Sequence, residues 1–408
     1  MQNIISVDLA RLLAALSMAL DFTAHGLSQH HRRVAYISVI MGKALGLDSQ
    51  TLRTLFCAAS IHDIGAITFA EKSHLVRFEI QSPQLHCEKG YDMLRQAPHF
   101  RDIATIIRHH HDKWSERNPQ DFPGDESLLL LGDLIHLADR IEVMMTQNYL
   151  LAQRQSVLKR IDELFGSIFR PELQEILHEV ALKESFWLDM ESDFIQDQTL
   201  KAIGSVDHMM ELPYADLKGL ASIFARIIDS KSRFTLRHSR LVSASATHLS
   251  RLAGFCCAQQ ARMEVAGLLH DLGKLSIPED ILEKPGALTN EEYLIVKKHT
   301  YYTYRILDHI PGFSEIAEWG AYHHERIDGR GYPFHIPGDQ LSLGSRIVAV
   351  VDIFSALVED RPYRAGLAQE KVESILQKMA HDHAIDGELV HLLLRHYDEF
   401  EEIKNGLP

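Results

Sequence analysis

Cysteine is scarce in this chain, with four residues among 408: Cys57, Cys87, Cys256 and Cys257. No two are spaced as CxxC, which excludes a zinc ribbon and the disulfide framework of a small secreted domain. Reduced thiols are the expectation. Positive charge is short as well, with 42 Lys and Arg against 56 Asp and Glu for a net charge of -14. Long nucleic acid is held by clustered cations, so that class of partner is excluded. A small phosphorylated ligand needs only a few local cations and stays admissible. Long apolar runs are missing too. The opening MQNIISVDLARLLAALSMAL has no basic residue ahead of its apolar stretch, and Asp8 and Arg11 interrupt it, so it does not read as a signal peptide. Leu9, Leu12, Leu13, Leu16 and Leu20 recur at helical spacing, which predicts a packed amphipathic helix. No stretch is long and charge-free enough to span a bilayer, so the expectation is a cytoplasmic protein without membrane contact. Runs of alternating apolar and polar residues are also wanting, which predicts a nearly all-α fold.

What the chain has in excess is histidine, 25 residues in all. They are patterned, and the pattern occurs twice. The first set is His30, His62, Asp63, His86, His110, His111 and Asp139; the second is His238, His270, Asp271, His299, His323, His324 and Asp352. In both sets 32 residues separate the first His from the second, 24 separate the third from the His-His pair, and 29 lead from that pair to the last Asp. The remaining gap is 24 in one set and 29 in the other, a short insertion. Such register marks an internal duplication. It predicts two tandem helical bundles, residues 1–205 and 206–408, each with side chains converging in its core. Segments 150–205 read as helical, without a Gly/Ser linker. Thr289 with Glu292 predicts a capping box opening the helix that carries His299. His109, His381, His383, His391 and His396 fall outside the register and read as surface or packing residues.

Five histidines and two aspartates are nitrogen and oxygen donors that suit iron, manganese, nickel or zinc better than magnesium or calcium. Seven donors exceed one ion, and a carboxylate beside a histidine can bridge two. Paired metals bind phosphoryl oxygens and stabilise a leaving oxygen, so the chemistry points to metal-dependent hydrolysis of a phosphoester. An isolated buried histidine is usually structural, but seven in register, twice, weaken that alternative.

The second half resembles the HD-GYP family of cyclic-dinucleotide phosphodiesterases, a branch of the HD metal-dependent phosphohydrolases. The resemblance rests on HSRLV at 238–242, HDLGK at 270–274, IPEDILEKPGALTNEEY at 277–293, HHERIDGRGYP at 323–333 and VDIFSALVEDRPYR at 351–364. It implies Asp271 as a bridging carboxylate, with His238, His270 and Asp352 completing one metal and His299, His323 and His324 the other. It implies two divalent ions, iron or manganese, and attack on a cyclic dinucleotide by a hydroxide held between them, giving the linear product. Asp271 and Lys274 are the implied catalytic residues, with Lys274, Arg330, Arg361 and Arg364 holding the substrate. Cations aimed at the non-bridging oxygens would neutralise charge as it builds. Arg330, Gly331, Tyr332 and Pro333 form the signature loop, expected to shape the pocket wall; Gly and Pro could alternatively dictate no more than a rigid turn there. Some members carry a metal-binding Glu four residues before the first His; here that position is Phe234, which predicts two ions and not three. Where the family usually has His-Pro and a later Gly, this chain has His299-Thr300 and Thr303, and Tyr301, Tyr302 and Tyr304 crowd the helix. At helical spacing these tyrosines read as core.

The first half resembles a plain HD domain. Its equivalent of Lys274 is Ala66, of Arg361 Asn148 and of Arg364 Leu151, and SERNPQ stands in place of DGRGYP. All seven ligand positions persist. The reading is a regulatory or supporting domain with a second metal site, residual or cooperating hydrolysis being admissible, and a vestigial or empty site is the alternative. The tandem layout is similar to that of phosphodiesterases acting on 3′3′-cyclic GMP-AMP, which favours that substrate, with cyclic di-GMP next. Two other readings compete: a catalytically silent cyclic-dinucleotide receptor or scaffold, and an HD nucleotidase. The intact ligands, Lys274 and the GYP loop oppose the first, and that loop with the paired arginines opposes the second.

Overall fold

The computed structural model describes residues 4–22, 29–66, 83–117, 126–145, 149–204, 208–231, 237–284, 286–360 and 365–407. It is almost wholly helical, and its one sheet among the described residues has two strands, β1 (Ile4–Asp8) and β2 (Met209–Pro213). Leu9–Asp21 is helical, as the leucine spacing predicts, and the residues ahead of it form the strand β1, which no alternating pattern announces. In β1 the side chains of Ile5 and Val7 are buried while Ile4 and Ser6 are exposed, the two-residue alternation of a half-covered strand. Asp8 then ends the strand and starts the helix, because its carboxylate accepts from the backbone N–H groups of Ala10 and Arg11 at 3.0 and 3.3 Å.

The chain forms two compact units. One is Asp8–Met210; the other joins Met1–Val7 to Glu211–Pro408. The sequence reading places the N-terminus wholly in the first half, and the pairing of β1 with β2 is the physical reason for the difference. The Asp8–Met210 unit contains α1 (Leu9–Asp21), α2 (His30–Ala44), α3 (Ser49–Ser60), α4 (Gln84–Leu94), α5 (Arg101–His109), α6 (Glu126–Met144), α7 (Leu150–Asp162), α8 (Leu173–Ala181), α9 (Glu184–Glu191) and α10 (Ile195–Ala202). The other unit contains α11 (Tyr214–Ser230), α12 (His238–Leu252), α13 (Cys257–Leu269), α14 (Glu279–Leu282), α15 (Asn290–Asp308), α16 (Ser314–Ala321), α17 (Leu343–Val358), α18 (Gln369–His381), α19 (Gly387–Arg395) and α20 (Tyr397–Gly406).

The duplication is visible in the packing. In the first unit α2 packs on α3 and α6, and α4 on α5; in the second α12 packs on α13 and α17, and α15 on α16. Helix α1 is buried on nearly all sides, because alanines 10, 14, 15 and 19 fill the faces between its leucines. Its counterpart α11 buries Leu217, Leu220, Phe224 and Ile228. Helix α15 opens on the predicted capping box: the N–H of Glu292 donates to Thr289 Oγ1 at 3.2 Å, and the N–H of Thr289 to Glu292 Oε2 at 2.7 Å. No helix of the described residues is long and apolar enough to cross a membrane.

Candidate metal centres

The repeated HDxG string is a helix end that must admit a second backbone. His270 caps α13, Asp271 follows, and Gly273 lies under α15. A Cβ on Gly273 would stand 1.9 Å from the carbonyl oxygen of His299. A Cβ on Gly65 would stand the same 1.9 Å from the carbonyl oxygen of His86. Glycine is therefore what lets the third histidine of each set approach the second. Thr303, in the place of the family's glycine, ties the turn: it donates to His270 O at 3.1 Å and accepts from the N–H of Gly273 at 2.9 Å.

In the Glu211–Pro408 unit all seven predicted ligands converge. His238 is the first residue of α12, His270 the cap of α13, His299 lies within α15, His323 and His324 follow α16, and Asp352 lies within α17. Their donor atoms fall into three overlapping groups: His238, His270 and Asp352; His270, Asp271 and His323; His299, His323 and His324. The Asp271 carboxylate faces both ways. Its Oδ2 lies 3.2 Å from His270 Nε2 and 4.0 Å from His238 Nε2, and its Oδ1 lies 3.6 Å from His299 Nε2 and 3.9 Å from His323 Nε2. Five of the seven are buried, while His324 and Asp352 are only partly so, with 13% of the Asp352 side chain exposed, and solvent reaches the centre on that side.

Hydrogen bonds fix which nitrogen each ring presents. His270, His299 and His323 each direct Nδ1 at the carbonyl three residues earlier, Gly267 (2.8 Å), Val296 (2.6 Å) and Gly320 (2.7 Å). Those contacts assign the proton to Nδ1 and leave the Nε2 lone pair facing inward. Burial pushes the His299 imidazole down to about 3 and lowers His323 strongly, so both are neutral at pH 7. His238 behaves otherwise. Its Nδ1 contacts Glu359 Oε2 at 2.8 Å and its Nε2 contacts Asp352 Oδ1 at 3.1 Å. Burial opposes its charge, yet these two carboxylates push it up to about 10. Glu359 was not foreseen from the sequence. It lies seven residues after Asp352, so two helical turns place it on the same face, and that spacing was the available signal.

Lys274 donates to Asp271 Oδ2 at 2.5 Å while a quarter of its side chain stays exposed. Burial and the flanking charges act on Asp271 in opposite directions, and His270 and Lys274 prevail, holding its carboxyl well below the usual range. Arg330 is exposed, with its backbone N–H on Asp328 Oδ1 at 3.0 Å, so the structure does not bring its side chain into the ligand cluster. Arg361, Arg364 and Phe234 lie outside the described residues. The signature loop is pinned from beneath by buried Glu325, whose carboxylate accepts the backbone N–H groups of Phe334, His335 and Ile336. A Cβ on Gly331 would stand 2.4 Å from Glu325 Cα, so the loop cannot pass there with any other residue. Its Tyr332 ring lies 4.8 Å from that of His324 at an angle of 30°. The three neighbouring tyrosines are less buried than the sequence reading holds. Tyr301 is 41% exposed, and Tyr304 stacks on Tyr322 at 5.4 Å beside Phe334. They form a partly wetted aromatic cluster because α15 turns that face toward the signature loop.

The Asp8–Met210 unit repeats the arrangement with differences. Asp63 faces His62 (3.4 Å) and His30 (3.8 Å) through Oδ2, and His86 (3.3 Å) and His110 (3.8 Å) through Oδ1. The donor groups are His30, His62 and Asp63, and Asp63, His86, His110 and His111. Asp139 joins neither. Its Oδ2 is taken by Arg140, which stands where the other unit has Ile353, at 2.6 Å from Nη2 and 3.1 Å from Nε; its Oδ1 remains 3.6 Å from His30 Nε2. His30 Nδ1 contacts Glu142 Oε2 at 2.6 Å, and Glu142 is only three residues beyond Asp139. Burial opposes protonation of His30, but Glu142 pushes it up to about 9. Three further residues crowd the cluster unannounced by the repeat: His31, Cys87 and His136. Every one of the seven predicted ligands is buried. Ala66 is buried where Lys274 stands in the other unit, Leu151 is half-buried in α7, and Asn148 lies outside the described residues.

Both clusters fit a divalent metal bound by nitrogen and oxygen. His299 Nε2 and His323 Nε2 lie 3.3 Å apart, and both protons have been assigned to the far side of the rings. Two lone pairs at that distance repel unless a cation lies between them. The Nε2 atoms of His62, His111 and His270 are buried without a hydrogen-bond partner among the described residues. An orphaned buried acceptor costs on the order of 1–3 kcal/mol, which a bound cation removes.

Comparison with known proteins agrees with this geometry. Residues 27–144 and 222–389 each match the HD domain. Over 98% of this chain and 94% of the relative, the sequence is 29% identical to the 3′3′-cGAMP-specific phosphodiesterase 1 of Vibrio cholerae. A cyclic di-GMP phosphodiesterase of Pseudomonas aeruginosa is 38% identical over 34% of each chain. A crystal structure of a cyclic GMP-AMP-specific phosphodiesterase from V. cholerae superposes with a TM-score of 0.66, at 26% identity and over 99% of both chains.

Proposed function

We propose, for a chain that carries two HD domains and is homologous to the 3′3′-cGAMP-specific phosphodiesterases of V. cholerae, that it hydrolyses a cyclic dinucleotide to the linear form in a metal-dependent reaction. 3′3′-cGAMP is the favoured substrate and cyclic di-GMP the next, iron or manganese the favoured metal, and the cytoplasm the favoured compartment. The chemistry belongs to the Glu211–Pro408 unit, and the Asp8–Met210 unit is regulatory or supporting. The observation that carries this division is the contrast at the repeated aspartate. Asp271 has an ammonium group on it at a centre that reaches solvent, whereas Asp63 lies in a closed cluster beside Ala66.

Divalent ions, when bound, supply Lewis-acid polarisation of the phosphoryl oxygens and an activated water. The chain's own residues do the rest. Asp271 and the inward Nε2 atoms would hold those ions. Glu359 orients His238 and keeps its ligand nitrogen basic. Lys274 lies at the exposed edge, where its positive charge draws the diester in and offsets negative charge that grows on the non-bridging oxygens. Arg361 and Arg364 are proposed to assist it. Tyr332 covers His324 and limits water on that side.

The test is hydrolysis of 3′3′-cGAMP, cyclic di-GMP and cyclic di-AMP by metal-loaded protein, with Asp271→Ala and Asp63→Ala beside it. Asp271→Ala is expected to abolish turnover, and Asp63→Ala to leave a substantial fraction. Loss of activity in a folded Asp63→Ala protein would overturn the division of labour. Binding of a dinucleotide without cleavage would make the chain a receptor.

A further inference from the structure

We propose that Lys297, held against the rings of Tyr293 and Tyr332, reads the base next to the scissile phosphate and selects guanine there. This rests on the hydrolase reading of the Glu211–Pro408 unit and names the part of the substrate that the site discriminates.

Three rings lead outward from the centre. His324 carries the Tyr332 ring at 4.8 Å and 30°, and Tyr332 meets Tyr293 edge-on at 6.2 Å and 83°. Tyr293 is 44% exposed, so the series ends in solvent. Both ends of this ledge are fixed. The backbone N–H of Tyr332 donates to His324 O at 3.1 Å, in the loop that Glu325 pins. Tyr293 lies four residues before Lys297 on α15, the helix that also carries His299. One helical turn therefore places both side chains on the same face.

The Lys297 ammonium lies 5.1 Å from the Tyr293 ring centroid and 4.9 Å from that of Tyr332, within cation–π range of each. Among the described residues its ammonium forms no ion pair, which leaves N–H groups for a ligand. An aromatic ledge that begins at a candidate metal ligand and ends in solvent is a stacking surface for a purine. Stacking alone accepts any base. An ammonium group donates and never accepts. Guanine presents two acceptors, O6 and N7, on its outer edge, whereas adenine presents an amino donor in place of O6. A lysine beside the stacked base therefore favours guanine, which offers it two acceptors, over adenine, which offers one. 3′3′-cGAMP and cyclic di-GMP each can place a guanine on the ledge; cyclic di-AMP cannot.

Calorimetric binding of the three dinucleotides to the metal-loaded full chain, followed by hydrolysis, tests this with Lys297→Met and Lys297→Gln. The unchanged chain should bind cyclic di-AMP more weakly than the other two. Lys297→Met should weaken binding of the two guanine-containing ligands roughly tenfold, leave cyclic di-AMP almost unaffected, and raise KM with little change in kcat. Lys297→Gln, whose amide both donates and accepts, should bring cyclic di-AMP level with the others. An equal loss for all three ligands would make Lys297 a phosphate or steering cation, and no change would make it a bystander; either overturns the proposal. If the dinucleotides bind but are not cleaved, the hydrolase reading falls while the binding ratios still decide the role of Lys297. If none binds, both fall.

Discussion

Replacing Gly273 by alanine would put a methyl carbon 1.9 Å from the carbonyl oxygen of His299, 2.7 Å from its carbonyl carbon and 2.9 Å from its Cα. Carbon and oxygen settle no closer than about 3.3 Å, so α15 has to move away from the HD turn by more than an ångström. The obstacle is backbone, which cannot rotate aside as a side chain can. The stability cost belongs at the upper end of the range for overpacking, about 3 kcal/mol. The functional cost is separate. His299 Nε2 faces Asp271 Oδ1 at 3.6 Å, and a displacement of an ångström at such a site costs on the order of 100-fold in rate. Urea denaturation, metal content and dinucleotide hydrolysis read the two effects independently. The duplication supplies the control, since Gly65→Ala meets His86 O at the same 1.9 Å. It should cost its own unit a similar stability while hydrolysis persists. A Gly273→Ala protein that keeps its full metal content and unchanged turnover would refute the argument.

Glu359→Gln keeps the side chain's shape but removes the charge facing His238 Nδ1, and metal affinity should fall about 10–100-fold in a chelator competition, with activity restored at saturating metal. Asp229 offers a pH test. Burial pushes its carboxyl up to about 6, against donation from Ser239 Oγ at 2.8 Å. A carboxyl raised above its ordinary 3.8 leaves stability intact below that value, and stability is lost as pH climbs through 6. Metal-free Asp229→Asn should therefore gain stability at pH 8, by up to roughly 3 kcal/mol, and nothing at pH 3.5 in thermal unfolding.

Much of the candidate centre was legible because side chains that converge on one point from successive helices leave fixed intervals in the sequence. The repeated intervals located His238, His270, Asp271, His299, His323, His324 and Asp352, and the structure gathers all seven. The capping box at Thr289 was legible for a similar reason, since both partners lie within one turn. What escaped were residues whose roles depend on the neighbour they meet in space. Glu142 and Glu359 orient the first histidine of each set from positions one helical turn apart, so the spacing comparison that aligned the ligands could not align them. Arg140 beside Asp139 replaces an isoleucine in the other half, and only the geometry shows that it takes one carboxylate oxygen. The tyrosines of α15 read as core from their spacing, but a helix has more than one face. The signature loop leaves Tyr301 partly in water. The opening strand was hidden by the leucines that follow it, and its partner lies some 200 residues away, beyond any local pattern.

That strand bears on how the chain can be divided. Cutting at residue 206 would give a fragment that contains every ligand of the Glu211–Pro408 centre and yet lacks Ile4–Val7, which belong to that unit. The cut would leave β2 with a row of unpaired amides and carbonyls, an invitation to pair with another copy. Poor behaviour of such a fragment would then report a missing edge rather than a dependence on the other HD domain. A fragment that joins residues 1–8 to β2 through a flexible linker long enough for the two strands to pair would separate these two explanations, because it returns the strand without the helices that normally intervene.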